Sequence, residues 1–168
     1  MGCDIHFFVE RYTTEPDTSN GPKDVSAYRE ERINSIIAGD DVKPRWVSVD
    51  KWKNIKDGDY SYWDCDHFYD NRNYWLFYFL ADVRSGPKQP IDDPRGVPED
   101  ASDSYKYIVN DWKGDGHSHS YFTLSELLSF PDSTWDELEC PDFRETIEKM
   151  KLVDSNPDNG RCVFFFDN

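Results

Sequence analysis

The sequence predicts a single α+β domain with a mixed, mostly antiparallel sheet and a few helices packed on it. Three observations carry this. The chain has 168 residues, a one-domain length that can bury a real core. The N-terminal stretch alternates apolar and polar residues with the period of a strand, and a short apolar run near the other end suits a second one. Between them lie stretches of helical spacing, opened by capping residues and closed by Gly or Pro. Aromatic residues make up 16% of the chain, so the core should be built from Phe, Tyr and Trp.

Residues 3–11 read as a strand with Cys3, Ile5, Phe7 and Val9 on a core face and Asp4, His6, Phe8 and Glu10 on the other. Residues 45–50 read as a second strand, paired antiparallel to the first. A helix over 25–38, with Ile33, Ile36 and Ile37 on one side, falls within the polar connection. Residues 51–70, rich in Asp, Gly and aromatics, read as loop. Asn73 and its neighbours offer N-caps for a helix bearing Tyr74, Phe77, Leu80 and Val83, stopped by Gly86-Pro87. Prolines 87, 90, 94 and 98 mark 85–104 as a long loop. Residues 105–112 form a short helix or strand. Thr123-Leu-Ser-Glu126 is a capping box opening a helix through Leu128. Pro141 suits the first turn of a helix through Val153, with Phe143, Ile147 and Met150 inward. Residues 161–166 close the chain as a strand.

Net charge is −15, with 34 acids against 19 bases. Such a field disfavours direct contact with nucleic acid or an anionic membrane. It suits a cation, a basic protein partner, or simple solubility. Cys3, Cys65, Cys140 and Cys162 are scattered without a CxxC. With no leader-like or membrane-length apolar run, the expected location is the cytoplasm, with reduced thiols. Oligomeric state is not legible in the sequence.

Chemistry concentrates in two segments. Asp4-Ile-His6 is a D-x-H pair whose side chains leave one face of a strand, with Cα atoms about 6–7 Å apart. Asp115-Gly-His-Ser-His119 repeats the pattern: if extended, Asp115, His117 and His119 share a face, and Gly116 leaves room for a close approach. Imidazole and carboxylate together suit a divalent transition metal such as Zn, Mn, Fe or Ni, which would activate a bound water. The competing reading is structural, with hydrogen bonds pinning the N-terminus and a polar loop satisfying its own backbone. Cys3 and His6 with Cys65 and His67 could hold a structural zinc, but strand phase sends Cys3 and His6 to opposite faces. Arg72, Arg84 and Arg95 are candidate phosphate clamps or, alternatively, partners of nearby acids. The chain has no P-loop, no G-x-G-x-x-G and no G-x-S-x-G.

Met1-Gly-Cys-Asp-Ile-His6, Arg72-Asn-Tyr74, Leu80-Ala-Asp-Val-Arg84, Pro94-Arg-Gly-Val-Pro98 and His117-Ser-His-Ser-Tyr-Phe-Thr-Leu124 resemble a bacteriophage-encoded protein family without an assigned activity. The resemblance implies a viral or prophage origin, hence a host cytoplasm, rather than a reaction, and relative to that family's shorter members residues 12–44 and 51–69 look like insertions into the single domain. At motif level, Asp4-x-His6 and Gly116-His-x-His119 are also similar to the metal-binding motifs of calcineurin-like metallophosphoesterases, which implies a two-metal phosphoesterase centre. That family's G-N-H is missing, and so are its parallel βα units.

The leading expectation is a metal-dependent hydrolase acting on a small phosphoester or nucleotide. Asp4, His6, Asp115, His117 and His119 would hold the metal; Asp4, His6, Asp115 and His117 would also serve catalysis, with Arg72 and Arg95 steadying phosphate charge. The alternative is a non-enzymatic acidic phage accessory protein that binds and inhibits a basic host protein, acting as a DNA mimic. A small virion component is a third reading.

Overall fold

The first and last strands lie side by side at the centre of the sheet. In the computed structural model, which describes residues 2–15, 21–22, 25–40 and 42–168, β1 spans Asp4–Thr13 and β6 spans Gly160–Asp167. They pair antiparallel from Asp4↔Asp167 to Arg11↔Gly160. β2 (Arg45–Ser48) pairs with β1 as the sequence predicts, and β5 (His117–Thr123) flanks β6. The order is β2-β1-β6-β5, with every pair antiparallel. The chain is a single α+β domain. Met1 and residues 16–20, 23–24 and 41, the last three groups within the predicted 12–44 insertion, lie outside the described residues.

Residues 51–66 correct the sequence reading. They are not loop but a hairpin, β3 (Lys51–Asp57) and β4 (Tyr60–Asp66), forming a separate two-stranded sheet. Its two-residue turn has Gly58 first, at φ +60°, which an L side chain resists.

Both faces of the central sheet are covered. On one, Ile5, Phe7 and Val9 of β1 meet Cys162, Phe164 and Phe166 of β6, with Cys3 beside them. Four helices supply the rest of that core: α2 (Tyr74–Ala81), α4 (Leu124–Leu128), α5 (Ser133–Glu137) and α6 (Pro141–Met150), numbered after α1 (Val25–Ala38) and α3 (Asp103–Asp111). On the other face, Phe8, Val163 and Phe165 lie beneath Tyr105 and Ile108 of α3 and Trp52 and Cys65 of the hairpin. Polar residues could have left this second face to water; Phe8, Val163 and Phe165 do not.

Local signals explain most helix limits. Asn73 caps α2 by accepting from the Leu76 N–H, and Thr123 with Glu126 closes the capping box of α4. Pro141 sits at the start of α6, which buries Phe143, Ile147 and Met150. α2 ends before the predicted Gly86-Pro87 stop, because Asp82 turns left-handed at φ +54° and its N–H returns to the Tyr78 carbonyl. In α1, Ile33, Ile36 and Ile37 are exposed.

One ion pair is buried within the sheet. The Glu10 carboxylate accepts from Arg161 Nε at 2.6 Å and from the Ser102 backbone N–H at 2.7 Å. Arg161 Nη1 reaches Asp100 at 2.9 Å, and its guanidinium lies 4.0 Å from the Trp46 ring centroid. A pair this dry costs desolvation, and removing one member strands the other. Glu10→Ala should therefore destabilise the protein by about 3–5 kcal/mol in urea denaturation, against about 1 kcal/mol or less for Glu15→Ala at the exposed Arg11 pair. Equal effects of the two substitutions would refute this account.

Candidate functional site

His6 lies on the second sheet face, beside Phe165, its cross-strand partner on β6. The two rings stack at 4.6 Å, and Trp112 covers His6 at 4.3 Å. Its Nε2 lies 3.1 Å from Asp167 Oδ2, an acceptor, so Nε2 carries the hydrogen. Burial pushes its pKa down against the opposing pull of Asp167. Asp4 is exposed, and both of its carboxylate oxygens accept from Arg72 at 2.6–2.8 Å.

Extension through 115–119 is broken. Ser118 has φ +51° and occupies a bulge between His117 and Ser120. His117 consequently pairs with Phe166, on the helical face, whereas His119 stacks on Phe165 of the opposite face at 5.3 Å. The predicted common face of Asp115, His117 and His119 is thus lost to the bulge. Asp115 is exposed in the preceding turn, its N–H bonded to the Trp112 carbonyl. Gly116 does admit a close neighbour, but it is the Phe165 ring, 3.0 Å from where a Cβ would stand.

The two predicted segments thus meet around Phe165, which occupies the central strand between His6 and His119. They meet as packing, not as a ligand set. No three His, Cys, Asp or Glu side chains among the described residues are grouped to hold a metal. Among the described residues, His117 Nε2 and His119 Nε2 are buried without a hydrogen-bond partner, but the two rings lie on opposite faces of the sheet and neither belongs to a set of three donors. His117 Nδ1 contacts Ser118 Oγ at 3.0 Å. Burial, then His117, lowers the pKa of His119. Asp4, His6, Asp115, His117 and His119 do not fit a metal centre as arranged.

The candidate clamps are occupied. Arg72 holds Asp4. Arg95 reaches Asp92 at 3.1 Å, Glu126 at 2.9 Å and the Tyr121 carbonyl at 3.1 Å, with its guanidinium 4.4 Å from the Phe122 centroid. Arg84 lies over Tyr74 at 5.5 Å. Cys3 and His6 leave opposite faces, so no C-x-x-H set forms. Cys65 Sγ instead lies 3.4 Å from His67 Nδ1, and burial pushes its thiol pKa well up.

A different site emerges between the hairpin and α3. It is a cleft of 380 Å³ walled by Trp52, Tyr62, Trp63 and Trp112, with Asp64 and Asp111 in the lining. Sequence reading missed it because it treated 51–70 as loop. The signal was present: Asp57-Gly-Asp59 between two aromatic-bearing runs is a hairpin pattern. Compared with known proteins, the chain matches no family model, no curated protein and no solved structure.

Asp50, between β2 and β3, is the most perturbed carboxyl with a resolved value. It is fully buried, accepts from the Val9 N–H at 3.1 Å and the Ser48 hydroxyl at 2.9 Å, and leaves Oδ1 without a partner. Burial raises its pKa from 3.8 to about 7. A folded pKa above the unfolded one means the native state holds the proton longer, so stability falls as pH rises from about 4 to about 7 and is level beyond. Asp50→Asn removes this contribution, on the order of 4 kcal/mol across that window. Urea denaturation at pH 5 and pH 8 should show wild type losing stability that the variant keeps. Parallel pH dependences would contradict the assignment.

Proposed function

We propose that this is an acidic, non-enzymatic binding protein whose partner is a basic protein, most simply a host factor whose nucleic-acid groove it occupies. The observation that carries the reading is the disposition of charge. Arg11, Arg45, Arg72, Arg95, Arg144 and Arg161 each already hold a carboxylate. Asp57, Asp59, Asp111 and Asp115 are exposed, and their carboxylates have no partner among the described residues. These four carboxylates, part of the excess behind the net charge of −15, face solvent, where they steer a basic surface. The hydrolase reading, by contrast, needs five donors to converge and two arginines to be available, and neither arrangement supports it.

Competition with DNA tests the proposal. Fluorescent duplex DNA bound to a basic nucleoid-type protein should be displaced by the full chain at about 50 mM salt, with the effect lost near about 500 mM. Displacement should exceed that by polyglutamate of matched charge; parity with polyglutamate would overturn the proposal. Phosphoester turnover dependent on added Zn, Mn, Fe or Ni, and abolished in a His6→Ala/His117→Ala double variant, would establish the hydrolase instead.

A further inference from the structure

Resting on the binding-protein reading, we infer that the cleft between the hairpin and α3 is a receptor for a guanidinium group, the arginine side chain of a basic partner. Its walls are fixed before any ligand arrives. Trp52 stacks on Phe8 at 5.4 Å with planes 11° apart, and its Nε1 donates to Ser48 Oγ at 2.9 Å. Trp112 is held against His6 at 4.3 Å. Tyr62 and Trp63 of β4 complete the lining, Tyr62 exposed and Trp63 half-buried against the core beneath it. Their ring faces carry the negative side of the aromatic quadrupole, which attracts a cation.

Acceptors complete the recognition. Asp64 Oδ1 takes the Cys65 N–H at 2.8 Å and lies 3.3 Å from His67 Nε2, which orients the carboxylate. Its second oxygen accepts nothing among the described residues, and neither oxygen of Asp111 does. Among the described residues, no Lys or Arg lines the cleft. Phosphate and carboxylate ligands are thereby repelled, and a planar cation with several N–H donors is favoured. Guanidinium stacks on indole and gives paired hydrogen bonds to carboxylate, while an ammonium is more strongly hydrated and cannot stack. A volume of 380 Å³ accepts a side chain of that length.

The test reads the cleft without the macromolecular partner. N-acetyl-arginine N-methylamide, titrated into the full chain, should change tryptophan fluorescence saturably with Kd about 1 mM. Asp111→Asn and Tyr62→Ala, both at exposed positions, should each weaken binding about fivefold or more with the melting temperature held close to wild type. Glu148→Gln, which removes the same charge on α6, should change nothing. Absence of saturation, equal binding of the neutral citrulline analogue, tighter binding of tetramethylammonium, or equal loss in Glu148→Gln would each overturn the inference. DNA displacement that persists while the arginine probe fails removes the cleft and leaves the binding reading. Probe binding without DNA displacement removes the nucleic-acid-groove partner alone.

Discussion

Three consecutive phenylalanines on the central strand leave this sheet no face for water. Phe164 and Phe166 point to the helices, while Phe165 points to α3 and the hairpin. Because successive strand residues alternate, a run of this kind commits the chain to two cores instead of one. The consequences spread outward. A hairpin that would be marginal alone acquires a floor in Phe8 and Phe165. Tyr105 spends its hydroxyl on the Phe164 carbonyl at 3.0 Å, tying α3 to β6. The space left between the two covering elements becomes the cleft, lined in part by Phe8 and Ile108.

That same constraint explains the histidines. His6 sits beside Phe165 by strand register, and His119 reaches its other side through the bulge at Ser118. His6, stacked and with one nitrogen on the Asp167 carboxylate, is a satisfied packing partner whose donor capacity is largely spent. What looks in sequence like a catalytic cluster is, in space, the polar margin of an aromatic stack. Carboxylates behave differently by depth. Glu10 is buried with Arg161 and organises the Ser102 cap of α3, whereas Asp111 is exposed and unpartnered.

Features set by near neighbours were legible in the sequence. Alternation over Cys3–Val9 identified the core face of β1, the Thr123/Glu126 box opened α4, and Pro141 opened α6. Features set by pairing were not. Ser118 can be known as a bulge only once β5 is laid against β6, since nothing in His-Ser-His breaks alternation by itself. The burial of Phe8 likewise depends on Trp52, more than forty positions away, being folded back over it. Asp57-Gly-Asp59 could have been read as a turn, but flanking lysines and aspartates masked the period of the strands around it.

Arg95 gains a meaning beyond its ion pairs once the outer side of β5 is considered. An outermost strand exposes backbone groups that can recruit another strand, and proteins that do not block them tend to add copies of themselves. Here the Pro94–Gly96 segment lies along that border: the Gly96 N–H donates to the His119 carbonyl at 2.8 Å, the Arg95 N–H to Ser120 Oγ at 3.3 Å, and Arg95 Nη1 to the Tyr121 carbonyl. The proline-rich loop thus works as a selvedge, closing the sheet where it would otherwise unravel into fibrils. The opposite border, β2, is four residues long and offers little purchase. Sealed on one side and short on the other, the domain can carry an aromatic-rich core without growing into cross-strand assemblies.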